Sequence, residues 1–212
     1  MSEVGKCAYC EVLACYKGDF KNLPIFCPMR KFINIIEESR RKYLDNQNLR
    51  KLAVNASMIE GEGYMKWPRL KEIIEYAKKL GIKRIGIAFC IGLRREARMV
   101  SQALENAGFK VHSVCCKIGG INKGDIGVPR KYWLSNRDFE AICNPIGQAL
   151  VLNAIGTELN IVVGLCVGHD SLFYMYSKAP VVTLIAKDRV TGHNPVAVIY
   201  SSYYWSQFGI RV

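Results

Sequence analysis

No stretch of this 212-residue chain reaches about 18 consecutive apolar residues, so the length needed for a membrane-spanning helix is missing. The opening residues, MSEVGKCAYCEV, have neither the charged start nor the apolar run of a secretory peptide, and a cytoplasmic protein is expected. No G-x-G-x-x-G follows a strand pattern and no Walker loop occurs, which removes support for dinucleotide and P-loop nucleotide binding. Acidic residues are scarce, 18 against 30 Lys+Arg, for a formal charge of +12. That balance permits an anionic metabolite, an acidic protein or nucleic acid as partner. There is no basic tail, however, and no run interleaves bases with aromatics as a single-strand groove would, so nucleic acid is the weakest of the three. Internal repeats, low-complexity segments and flexible linkers are absent too.

What the chain does have is nine cysteines. A reducing compartment makes structural disulfides rare, and an odd count does not close a disulfide framework, so metal or redox chemistry is indicated. Cys7, Cys10, Cys15 and Cys27 read C-x2-C-x4-C-x11-C-P. A C-x-x-C turn presents two sulfurs to one ion, and four thiolates suit zinc or an iron–sulfur cluster. The spacing lacks the second C-x-x-C of a zinc ribbon. Its Cys-Pro ending resembles ferredoxin runs, with different spacings. A redox dithiol at Cys7 and Cys10 is the rival reading, and it leaves Cys15 and Cys27 unused.

Apolar periodicity predicts helices over 28–45 and 49–59, and a well-marked one in WPRLKEIIEYAKKLG. Beyond it the pattern alternates. Strands are expected at 82–89, 109–116, 160–166 and 181–186, with helices between them, one starting at Asn144-Pro145 and a last one at Asn194-Pro195. Such alternation means an α/β fold, an open parallel sheet of about four strands with helices on both faces. The division expected is a Cys-rich, helical extension over 1–66 and an α/β domain over 67–212.

In an open parallel sheet ligands bind beyond the carboxyl ends of the strands. Cys90 follows the first expected strand, Cys115 and Cys116 end the second, Cys166 ends the third, and Cys143 precedes a helix start that favours thiolate. A buried strand carries no signal of facing, so Cys115 and Cys116 are equal candidates. His169, with Asp170 as the expected helix cap, and Lys187, Asp188 and His193 fall past the third and fourth strands as candidate ligands or proton carriers; the histidines equally suit plain loop positions. CIGLRRE misses the C-x5-R spacing of a cysteine phosphatase by one residue. Arg94 at a helix start, with Gly119 and Gly120, could still hold an anion.

The segments GIAFCIGLRREA, CCKIGG, CNPIGQALVLN, GLCVGHDSLF and AKDRVTGHNP, with the cysteine-bearing start, resemble the family called domain of unknown function 1847, over essentially the whole chain. That resemblance implies metal binding, with all nine cysteines in the family pattern, and implies no reaction. The expectation is therefore a metalloprotein with two thiolate sites. The quartet holds zinc or iron–sulfur. Cys90, Cys116 or Cys115, Cys143 and Cys166 hold an iron–sulfur cluster, 4Fe–4S in preference, serving a redox partner protein or a small substrate. The alternative is a zinc-stapled module that binds an anionic small molecule without redox chemistry. The oligomeric state is left open.

Overall fold

Residues 4–210 are described by a computed structural model; Met1 to Glu3, where the segment read for an export signal begins, lie outside the described residues. The chain divides into two compact units, the first ending at Met58 and the second starting at Ile59. Among the described residues no helix is long and apolar enough to cross a membrane.

The first unit contains a turn at Cys7–Tyr9, then α1 (Ala14–Lys17), α2 (Pro28–Lys31), α3 (Ile33–Asp45) and the start of α4 (Gln47–Gly63). The single helix expected over 28–45 is broken at Phe32, whose φ of −115° and ψ of 31° lie outside the helical range. Asn46 separates α3 from α4, and its side-chain oxygen accepts from the Asn48 and Leu49 amides at 3.0 and 3.1 Å, an N-cap. Among this unit's described residues only Ala14 is buried, so it builds no hydrophobic core.

The second unit is the expected α/β fold. After α5 (Arg69–Leu80) come β1 (Arg84–Phe89), α6 (Arg94–Asn106), β2 (Lys110–Cys115), α7 (Pro145–Ile155), β3 (Leu159–Val163), α8 (His169–Tyr176), β4 (Val181–Ile185), α9 (Val196–Ile199) and α10 (Ser202–Phe208). All pairings are parallel, in the order β2-β1-β3-β4. Right-handed crossovers put α6 on one face and α7 and α8 on the other, and α7 packs on α8. The direction of winding reverses between β1 and β3, which makes their carboxyl ends the topological switch point.

Every residue of β3 is buried, as a central strand covered on both faces requires. Its one polar member, Asn160, is fully buried and satisfied: its oxygen accepts from Thr157 Oγ1 and its amide donates to Ser177 Oγ, both at 2.8 Å. Gly86 lies opposite it on β1. A Cβ there would sit 2.1 Å from Asn160 Oδ1, so the glycine makes room for the polar side chain.

Two expected caps differ. Asp170 lies inside α8, not before it, and its carboxylate accepts from the Ser171 amide at 2.9 Å, while Gly168 occupies the cap position with φ 81°. Asn194 makes no side-chain cap either; Pro195 directly precedes α9. The third strand ends at Val163, so Cys166 belongs to the following loop and not to a strand end. Gly164 causes this early stop: its φ is 67°, and a Cβ would lie 2.3 Å from Leu93 Cδ1.

Between β2 and α7 the chain makes a long excursion, closed at its neck by an antiparallel bridge between Asn122 and Ala141. Lys123 N–H donates to Glu140 O at 2.9 Å and Ile142 N–H to Ile121 O at 2.8 Å. The Lys123 ammonium pairs with the Glu140 carboxylate and holds it down to about 2.

Candidate metal centre

The neck of that excursion brings distant thiols together. Cys116 directly follows β2 and donates its N–H to Phe89 O at 2.8 Å, while Cys90 directly follows β1 and donates to Val163 O at 3.1 Å. Both are buried. The Asn144 amide donates to Cys116 O at 2.7 Å, which sets the start of α7 beside the end of β2. The Asn144 side chain then does two things at once. Its oxygen accepts from the Gly147 amide at 2.8 Å, capping α7, and its nitrogen donates to Ile118 O at 3.2 Å. Lys117 reaches the same place, donating to Ala141 O at 2.6 Å and to Cys143 Sγ at 3.5 Å.

Cys166 and His169 are joined by one backbone turn. The Cys166 carbonyl accepts from the His169 and Asp170 amides at 2.9 and 3.1 Å. The result is a group of donors from two separate segments, the start of α7 and the turn into α8: one ligand atom each from Cys143, Cys166 and His169, all within 4.8 Å of one another. Among the described residues no other three metal-ligating side chains of this kind meet. Nδ1 of His169 is buried with no hydrogen-bond partner, an orphan that a metal bond would satisfy.

The charges favour thiolates at Cys143 and Cys90. The Cys116 thiol stands beside both Cys143 and Cys90, and its own pKa is pushed far up, first by Cys143 and then by Cys90. Cys143 is held down to about 3, by Cys116 first and then by the His169 imidazole. Cys90 is held down to about 5 by Cys116, the Gly92 N–H and the Lys187 ammonium. His169 in turn is raised by its contact with Cys143. Arg189 donates to Cys166 Sγ at 3.1 Å. Ile91 N–H donates to Cys116 Sγ at 3.3 Å.

The other expected site residues are placed differently. Cys115 lines a shallow groove along the β2 edge with His112, Ser113 and Val151, whereas Cys116 joins the thiols. Asp188 and His193 clip their own loop: the Asp188 N–H donates to His193 Nδ1 at 3.1 Å, and the carboxylate accepts from the Val190 and Thr191 amides. Arg94 lines a small groove with Phe89, Arg98 and Ser113, while Gly119 lies against the Asn144 side chain; the described residues give them no common pocket. Of Cys7, Cys10, Cys15 and Cys27, no three sulfurs lie within 4.8 Å of one another. Sequence reading overlooked Lys117 and Arg189. The first directly follows the Cys-Cys pair and the second lies two residues past Lys187, but nothing in a basic side chain's identity separates a site from a solvated surface. The C-x-x-H spacing of Cys166 and His169 was the legible signal for the turn they share.

Asn144→Ala is expected to cost about 1 kcal/mol of stability as a lost cap. Asn144→Asp, which retains the capping oxygen but loses the donor to Ile118, should recover most of that loss. Denaturation midpoints of the two variants check it.

The comparisons with known proteins reach the level of family through a family model and a close relative. An uncharacterized protein of Methanocaldococcus jannaschii is 48% identical over 199 residues, spanning 94% of this chain and 95% of that protein. Among solved structures, the crystal structure of Dph2 from Pyrococcus horikoshii with a 4Fe–4S cluster gives a TM-score of 0.33 at 22% identity, covering 57% of this chain and 27% of that one. Residues 27–184, from the last cysteine of the N-terminal quartet through most of β4, match the model of a family described as protein of unknown function (DUF1847), and with the close relative this shows that the chain belongs to that family.

Proposed function

We propose that this is a cytoplasmic metalloprotein whose working centre lies at the sheet edge, held by Cys143, Cys166 and His169 with Cys116 and Cys90 beside them. The observation that carries the reading is the convergence of two sulfurs and an imidazole nitrogen within 4.8 Å. Two thiolates and one imidazole are the donor set of a zinc site that keeps its fourth position open. Cys116 and Cys90 supply the further thiolates that a 4Fe–4S cluster needs. When bound, zinc would supply Lewis acidity and an iron–sulfur cluster an electron. The chain's own residues do the rest: Lys117 orients Cys143, Arg189 orients Cys166, and the Cys166 carbonyl fixes the turn that carries His169. All nine cysteines are free, a state that a reducing cytoplasm would preserve. A redox partner protein or a small substrate would complete the cycle.

The N-terminal quartet is the second site of the same proposal. Cys10 N–H donates to Cys7 O, forming the C-x-x-C turn, and Gly5 N–H donates to Phe26 O next to Cys27, both at 3.1 Å. With only Ala14 buried among the described residues of this unit, a metal would supply the staple that packing does not.

The test is metal and acid-labile sulfide analysis of the full chain, purified and reconstituted without oxygen. Zinc, or iron with sulfide, should bind at two sites, Cys166→Ser removing one and Cys7→Ser the other. Protein that binds neither metal, or a Cys166→Ser variant with an undiminished metal content, would overturn the sheet-edge reading.

A further inference from the structure

The sheet has two edges, and they are finished differently. At the β4 edge, Arg69 at the start of α5 donates from Nε to Thr183 O at 2.6 Å, and α5 packs against that strand. At the other edge β2 pairs with β1 alone among the described residues. Lys110 N–H donates to Lys83 O at 2.9 Å and Cys116 N–H to Phe89 O at 2.8 Å, so the even-numbered residues of β2 turn their backbone groups toward β1. A parallel ladder alternates, and the odd-numbered residues turn theirs outward. Cys115 O is used by the Ile118 amide at 3.1 Å. No turn or loop among the described residues takes the outward N–H and C=O of Val111 and Ser113. Such an edge is a template for another strand.

Two grooves flank β2, and their chemistry differs. One, of about 660 Å³, runs along the strand and is walled by Val151 and Ile155 of α7. The other, of about 220 Å³, lies between β2 and α6 and is lined by Arg94, Arg98, Ser101 and Ser113. Arg94 and Arg98 are exposed, one helical turn apart, and among the described residues neither has a carboxylate partner. No acidic residue lines either groove.

We propose that β2 is a docking edge for an extended acidic segment of a partner protein, which adds to the sheet as a further strand. Successive side chains of an added strand point to opposite faces. Carboxylates at every second position then meet Arg94 and Arg98, while the apolar residues between them meet Val151 and Ile155. The formal charge of +12 favours the approach of such a segment. It disfavours a second copy of this chain in the same place. Pairing β2 with β2 about a two-fold axis normal to the sheet would set Arg94 and Arg98 on the same face as their own images, like charge against like. The docking needs no metal and stands apart from the centre proposed above.

The experiment adds a fluorescent peptide of alternating glutamate and valine to the full chain and follows its anisotropy. Saturable binding is expected, with none for the matching lysine–valine peptide or for the same glutamates and valines arranged in two blocks. Arg94→Gln and Arg98→Gln should each weaken binding roughly tenfold or more, the loss of one charge-assisted contact, while Lys78→Gln on α5 leaves it unchanged. Ser113→Pro removes an outward N–H without taking a bond from β1, as an edge position allows, and should weaken binding by a similar factor. Methylating one of the two alternate sets of peptide amide nitrogens tests the same bonds without touching the protein, and should abolish binding. No binding of the glutamate–valine peptide, binding that survives both methylated forms, or binding unchanged in the two arginine variants overturns the proposal. A dimer in sedimentation that Ser113→Pro dissociates assigns the edge to a second copy. A single-stranded oligonucleotide that binds through Arg94 and Arg98 where the peptide does not bind assigns the pair to phosphates. Either result also overturns it.

Discussion

Replacing Cys143 by serine is expected to lower metal affinity at the sheet edge by more than roughly a hundredfold, beyond the 10–100-fold typical of an outer-shell change. The reason is that Cys143 has two roles. It is one of three donors within 4.8 Å, and it is the sulfur whose contacts with Cys116 and His169 tie the two halves of the site together. A graded series follows from the geometry. Cys166→Ser and His169→Ala should match Cys143→Ser, since each removes a donor of the same trio. Cys116→Ser should fall between, because its sulfur sits against both Cys90 and Cys143 without belonging to the trio. Cys115→Ser should change nothing, since that side chain lines the groove on the β2 edge. Competition with a chromophoric chelator under anaerobic conditions measures the series. Equal losses in Cys115→Ser and Cys116→Ser would show that the vicinal pair acts as one unit and that the division drawn between them is wrong.

Gly86→Ala is expected to destabilise the second unit by about 3 kcal/mol. A methyl group at that point would lie 2.1 Å from Asn160 Oδ1 and 2.9 Å from Leu152 Cδ1. Overpacking of a tight core costs about 1–3 kcal/mol, and a buried amide pushed off its partners costs a similar amount. Asn160 has no room to retreat, being fully buried and bonded on both sides to Thr157 and Ser177. At this chain length the loss corresponds to a fall in Tm of roughly 6–12 °C. The double change Gly86→Ala with Asn160→Ala should recover part of the loss relative to the sum of the single changes, as touching residues do. Urea denaturation of the four proteins closes the cycle. A single-variant loss below about 1 kcal/mol would mean that β1 and β3 can separate here, contrary to the packing described.

Much of the second unit was legible because buried parallel strands leave continuous apolar runs. IKRIGIAF and NIVVGLC both contain strands, and Asn144-Pro145 marks a helix start by cap chemistry that needs nothing beyond a few neighbouring residues. Local rules failed where the backbone satisfied itself in another way. Asp170 has the identity of a cap, yet the Cys166 carbonyl and Gly168 already form that turn. NIVVGLC reads as one strand to its cysteine, yet Leu93 fills the space where Gly164 would carry a side chain and the chain leaves the sheet at once. Phe32 breaks a helix whose apolar spacing continues across the break.

From sequence alone came the α/β class, the parallel sheet and the expectation that thiols gather beyond the strand ends, because periodicity, capping and burial are properties of short segments. The partition of those thiols did not come from it. That Cys116 and not Cys115 meets Cys143, that His169 joins them, and that Lys117, Lys187 and Arg189 each stand by a sulfur were decided by the tertiary structure. Strand register, a closed neck and one shared turn convert separations of tens of residues into a few ångströms, and no local pattern encodes that distance.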